Sequence, residues 1–93
     1  MSDEIWEWKI RVEGLVQGVG FRAAASRLAE TYKICGYVRN FTDGSVEICA
    51  QGTQKNLESF LEAVHARPGV GAVDQIKIDR HRPDSRHSSF ETK

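Results

Sequence analysis

The sequence predicts an α+β fold, a ferredoxin-like split βαβ arrangement with element order βαββαβ. Three observations point there. Residues 6–13 alternate between apolar and polar, and at Phe21 the hydrophobic period lengthens to that of a helix. Asp43-Gly44 then separates two short β-rich runs, which precede a second helix and strand. Right-handed β-α-β connections place both helices on one face of an antiparallel sheet.

Trp6, Trp8, Ile10 and Val12 alternate with Glu7, Lys9, Arg11 and Glu13, giving a strand with one buried face. The glycine-punctuated stretch from Gly14 to Gly20 ends it. Phe21, Ala24 or Ala25, Leu28 and Tyr32 then mark a helix expected to stop near Gly36. Gly36 to Asn40 reads as a short strand, Phe41-Thr42-Asp43-Gly44 as a turn, and Ser45 to Ala50 as the returning strand. With Gly44 in the left-handed position of a three-residue loop, Phe41 faces Ser45 and Tyr37 faces Cys49. Thr53 suits the cap of a second helix, whose Leu57, Phe60, Leu61 and Val64 form one apolar stripe. Arg67-Pro68-Gly69 breaks that helix, and Val73 to Arg80 gives a fourth strand. Residues 81–86 form a polar loop, and Ser88 to Thr92 a short fifth strand at an edge of the sheet.

A chain of 93 residues is expected to form a single domain, residues 1–93. Its 13 Lys and Arg offset 13 Asp and Glu, which weighs against a protein whose main task is to grip nucleic acid or an anionic membrane. A core this thin leaves little room for a bulky cofactor, so a ligand should be small or held at the surface. No apolar run approaches the ~20 residues of a membrane helix. The acidic Met1-Ser2-Asp3-Glu4 is unlike a signal peptide, so a cytoplasmic location is expected. Cys35 and Cys49 are too few for a disulfide framework, and neither has His partners at zinc-ligand spacing. In the predicted hairpin they are diagonal neighbours, so a disulfide between them is not favoured.

One segment stands apart from generic loop: Gly14-Leu15-Val16-Gln17-Gly18-Val19-Gly20-Phe21-Arg22, between a strand and a helix. Gly18 and Gly20 permit positive φ, which lets backbone N–H groups converge, and a helix N-terminus adds its own dipole. Arg22 in the first helical turn costs the helix about 0.3–1 kcal/mol, a placement that makes sense if an anion sits between them. Gly18-x-Gly20-x-x-Ala23 also fits the dinucleotide-binding fingerprint. That motif requires a parallel doubly wound sheet, whereas here a hairpin follows, so the fingerprint is rejected.

These residues carry a resemblance. The chain resembles the acylphosphatase family through the 14–22 block and through Gly36-Tyr37-Val38-Arg39-Asn40-Phe41-Thr42-Asp43-Gly44-Ser45-Val46-Glu47. The two blocks stand in the family's order and separation, and the predicted elements follow its pattern over nearly the whole chain. The resemblance implies a hydrolase that splits the carboxyl-phosphate anhydride of acyl phosphates into carboxylate and inorganic phosphate, with no metal and no cofactor. It implies that Arg22 binds the phosphate and Asn40 positions the attacking water. The amides of Gln17, Gly18, Val19, Gly20, Phe21 and Arg22 correspond to the family's phosphate cradle. Arginine offers a planar fork of donors that stays charged, and an asparagine amide can orient water without repelling a dianion. Phosphoryl transfer through a loose transition state calls mainly for positioning and charge stabilisation, so a substrate oxygen can take the water's proton. The expected partners are a small-molecule acyl phosphate and its phosphate product, with no nucleic acid and no membrane, and a monomer is expected.

Two other readings compete: a domain that senses a small anion without turnover, and an RNA-binding module of the same fold class. The cluster of Arg80, Arg82, Arg86, His81 and His87 is locally positive, but Asp79, Asp84 and Glu91 dilute it, and the aromatic strand motif of RNA-binding domains is missing. His65, His81 and His87 read as surface residues, Trp6 and Trp8 as packing, and Asn40-Phe41-Thr42 as an incidental sequon. Departures from the family pattern are Ala23-Ala24, where bulky residues are common and where the pocket rim could open, and Thr92, whose polarity bears on the edge strand and on nothing catalytic.

Overall fold

The strongest alternation in the sequence occupies the middle of the molecule. A computed structural model describes residues 4–18, 20–66 and 72–93. In it β1 (Trp6–Leu15) lies between β3 (Val46–Gly52) and β4 (Ala72–His81). Next to β3 comes β2 (Cys35–Asn40), and β5 (Phe90–Thr92) closes the far edge, giving the order β4-β1-β3-β2-β5. The helices α1 (Phe21–Thr31) and α2 (Gln54–His65) make the two crossovers.

Register follows from the need to bury one face. Trp8, Ile10 and Val12 pair with Ala50, Ile48 and Val46 across β3, and Ile10 also meets Ile78 on β4. These residues join Phe21, Ala25 and Ala29 of α1 and Leu57, Phe60 and Val64 of α2 in one core. The antiparallel sheet with both helices on one face is therefore as expected. The hairpin also matches: Tyr37 opposes Cys49, and the Phe41 N–H donates to the Ser45 carbonyl at 2.8 Å. Gly44 takes φ 97° at that turn. β1 runs further than the alternation suggests, through an irregularity at Glu13 and Gly14.

Two features differ from expectation. β5 pairs with β2 in parallel, because the loop after β4 reverses the chain before it reaches the far edge. The α1 terminus also falls earlier than Gly36. Lys33 adopts φ 60°, and Ile34 N–H donates to the Ala29 carbonyl at 2.8 Å, a left-handed helix stop built on lysine. Gly36 lies inside β2, in the strand read from Gly36 to Asn40. Because a non-glycine residue there is strained, Lys33→Gly is expected to stabilise the fold by up to about 1 kcal/mol. Chemical denaturation at an unchanged slope checks this. The expected break at Arg67-Pro68-Gly69 lies outside the described residues.

Buried polar side chains on the open face of the sheet include Glu7 and Gln51, which pair with each other. Glu7 is buried; its Oε1 accepts from Gln51 Nε2 at 2.7 Å, and its Oε2 lies 2.7 Å from His81 Nε2. Burial pushes the Glu7 carboxyl up, but the hydrogen bonds and the charges of His81 and Lys9 leave it below the ordinary glutamate range. His81 is thus half-buried against a carboxylate and not a free surface residue, because strand register brings residues 7 and 81 opposite each other. Both cysteines are free thiols. Burial, with Glu7 nearby, raises the Cys49 thiol to about 12, which makes it an unreactive apolar filler.

Candidate active site

The segment that leaves β1 turns over the N-terminus of α1. Gly18 (φ 72°) and Gly20 (φ 79°) both take left-handed conformations. A Cβ at either would meet nothing within 4 Å, so backbone conformation and not crowding calls for glycine here. The two helices begin differently. α2 is capped in the usual way, with Thr53 Oγ1 accepting from Asn56 N–H at 3.2 Å. At the α1 N-cap Gly20 offers no side chain, and the first turn holds no acid. Its orphan N–H groups are therefore left for something else.

In front of this terminus is a cavity of about 270 Å³. Gly18, Gly20, Phe21 and Arg22 form one side, and Asn40, at the end of β2, joins them. Val16, Ala23 and Thr92 complete the wall. Five of the residues singled out in the sequence thus surround one small space, although Asn40 lies far along the chain from the loop. Gln17 does not border it; its side chain turns towards the β2–β3 turn. Val19 lies outside the described residues.

Both Arg22 and Asn40 are held in place, one through its side chain and the other through its backbone. Arg22 is half-buried, and its Nη1 donates to the Lys93 carbonyl oxygen at 2.5 Å. The Lys93 N–H in turn donates to the Val38 carbonyl at 2.8 Å, which extends the β5 pairing. Asn40 is exposed, and its backbone is held by pairing with Val46. The following turn is braced by Asp43, whose Oδ1 accepts from the Ser45 backbone N–H at 2.9 Å and the Ser45 hydroxyl at 2.6 Å. Its Oδ2 meets Arg11. The Ser45 bonds first, and then Arg11, draw the Asp43 carboxyl down to about 2.

Two wall residues, Val16 and Thr92, were not assigned to a site from sequence, whereas Ala23 was read at the pocket rim. Thr92 had been confined to a role in the edge strand. The parallel register, which sets Thr92 opposite Val38, instead carries it into the cavity wall near Asn40. Of the two alanines after Arg22 only Ala23 faces the cavity, while Ala24 is buried. The Lys93 support of Arg22 had no local signal, since it joins residues 71 positions apart.

The arrangement offers a guanidinium, an uncapped helix start and a neutral amide around a space suited to a small anion. A larger groove of about 830 Å³ lies between α2 and β4, but its floor of Trp6, Trp8, Leu61, Ile76 and Ile78 is apolar. Arg80 stacks on Trp8 at 4.7 Å and Arg82 on Trp6 at 4.3 Å, so two of the C-terminal arginines are engaged with packed indoles. Among the described residues no group of three or more His, Cys, Asp or Glu could hold a metal ion, and no helix is long and apolar enough to cross a membrane.

Known proteins share both sequence and architecture. The acylphosphatase family profile matches residues 8–92. An acylphosphatase of Burkholderia mallei is 36% identical over 91 residues, covering 98% of this chain and 93% of that protein. One from Thermotoga petrophila is 43% identical over 76 residues, 82% of this chain and 84% of that protein. The crystal structure of acylphosphatase from Bacillus subtilis superposes with a TM-score of 0.89 at 38% identity, covering 95% of this chain and 98% of that one. Sequence along almost the whole matched length and the fold agree, and the chain belongs to the acylphosphatase family.

Proposed function

We propose that this acylphosphatase holds the phosphoryl group of its substrate on the amides of residues 17–22 and on Arg22, and that Asn40 orients the attacking water. The observation that carries the reading is the convergence of Gly18, Gly20, Arg22 and Asn40 on one cavity of about 270 Å³. Water oxygen attacks phosphorus as the bond to the carboxyl oxygen breaks. The carboxylate leaves, and a non-bridging phosphoryl oxygen takes the water's proton, so the products are carboxylate and dihydrogen phosphate. Carboxylate is a good leaving group, and no protein base is needed. Arg22 and the amides hold charge as it spreads over the equatorial oxygens, while Asn40 supplies orientation. A carboxylate at position 40 would repel the dianion that it must serve.

The substrate is a small acyl phosphate. We read the enzyme as a cytoplasmic monomer with no metal, no cofactor and no nucleic-acid partner. Balanced charge supports this, and so does the open sheet face, where Arg11 lies over the Phe41 ring at 4.7 Å and Lys93 over Tyr37 at 4.6 Å. Rings already covered by cations make poor stacking platforms for bases.

Hydrolysis of benzoyl phosphate in excess chelator tests the reading. The wild type should turn over, and Asn40→Ala should lose about a hundredfold in kcat while still being inhibited by inorganic phosphate. Phosphate binding by the wild type without turnover would favour an anion-sensing domain. Full activity in Asn40→Ala would remove Asn40 from the mechanism.

A further inference from the structure

We propose that the Gln17 side chain is a positioning residue that sets the placement of Asn40 relative to the phosphate-holding loop. The proposal rests on the reading above, in which Asn40 orients water. Gln17 is half-buried at the start of the loop but lies off the cavity wall, so it does not reach the substrate through its side chain. Its Nε2 donates to the Phe41 carbonyl at 2.7 Å and to the Ser45 carbonyl at 2.8 Å. Both N–H bonds of one planar amide are thus committed to the turn that follows Asn40.

The same two carbonyls already close the hairpin. Ser45 O accepts from Phe41 N–H at 2.8 Å, and Phe41 O accepts from Gly44 N–H at 3.3 Å. Gln17 occupies the second acceptor site of each. Asp43, through Ser45 and Arg11, fixes the shape of the turn without any help from the loop. What Gln17 adds is a bond across 24 residues between two bodies, the phosphate loop and the end of β2. Without it, Asn40 remains on its strand, but nothing of that length ties residue 17 to residue 41.

The residue type follows from the acceptors. Two carbonyl oxygens require two donors on a neutral group of this reach. An ionised glutamate has no donor, a lysine would bring a strongly hydrated charge, and asparagine is one methylene shorter. The functional weight follows from the chemistry. Water must approach phosphorus opposite the leaving carboxylate, and an error of about 1 Å in such an approach can cost about a hundredfold in rate.

A double-mutant cycle in the full chain tests this, with benzoyl phosphate as substrate and inorganic phosphate as inhibitor. Gln17→Met keeps length and removes both donors. It should lower kcat about ten- to a hundredfold and leave the phosphate inhibition constant within about twofold. In the Asn40→Ala background the same substitution should change kcat by less than about twofold, because the group being positioned is gone. Losses that multiply in the double variant would overturn the proposal, as would a matching loss of phosphate affinity. A wild type without turnover, or an Asn40→Ala variant with full activity, defeats the Asn40 reading itself and the Gln17 proposal with it. Should Gln17→Met fail to fold in a thermal melt, Gln17→Glu decides. Only the protonated carboxyl can donate, so its kcat should rise on acidification relative to wild type. A pH profile parallel to the wild type would overturn the proposal.

Discussion

Arg22→Ala is expected to lower kcat at least about a thousandfold and to remove competition by inorganic phosphate, with the folded state retained. The loss is large because no other cation lines the cavity among the described residues. The transferring phosphoryl group would face only partial charges from backbone amides. Fold retention follows from position: Arg22 is half-buried at the mouth of α1 and is no part of the core cluster. Arg22→Lys should recover only part of the rate. An ammonium restores charge but not the planar fork, one arm of which is engaged by the Lys93 carbonyl while the rest is free to meet phosphate. Steady-state hydrolysis with a phosphate inhibition series, beside a thermal melt, separates these outcomes. Unchanged phosphate inhibition in Arg22→Ala would place the anion site elsewhere.

Gly36→Ala is expected to destabilise the fold by at least about 3 kcal/mol, from a strained backbone and an overpacked contact together. In a domain of this size that lowers the melting temperature by roughly 12 °C or more. Gly36 takes φ 135°, and a Cβ there would stand 1.8 Å from the Cys49 carbonyl oxygen and 2.8 Å from its carbon. Both are backbone atoms of the neighbouring strand, so no side chain can swing aside. β2 would have to draw away from β3. The Gly36 N–H also donates to the Ser89 carbonyl at 2.9 Å, so the displacement would loosen β5 as well. Calorimetry should therefore show a lower melting temperature together with weaker activity in what remains folded.

The two positions also show what was legible in the sequence. Arg22 could be placed beside the glycine loop at a helix start, on the wall of the cavity, because its signal is local: glycines, a strand before, a helix after. Asp43-Gly44 fixed the hairpin register for the same reason, and with it the end of β2 that carries Asn40. Gly36 was read both as the point where the helix stops and as the first residue of a strand, and only the strand reading is right. A glycine after a helical stripe reads as a helix stop, yet strand packing against Cys49 required it, and Lys33 ended the helix despite its side chain. β5 was visible as a short strand, while its parallel partner was not. That pairing is decided by where the loop after β4 delivers the chain, which no periodicity records. Thr92 and the Lys93 support of Arg22 depend on that delivery, and both were missed. Gln17 was read as one cradle amide among several, since a sequence does not show which way a side chain turns.

β5 has only three residues and lies at an edge of the sheet, yet the backbone beside it holds the arginine that lines the cavity. Of the β5 residues, Phe90 packs against the core and the Phe60 ring, while Glu91 and Thr92 are exposed. Short edge segments open at a much lower free-energy cost than the whole domain. On the proposed role of Arg22, this local opening equilibrium is expected to set the population of molecules able to turn over. Activity should then be lost at β5 first, while most of the hydrogen-bonded sheet is still protected from solvent exchange, which hydrogen exchange beside an activity assay checks.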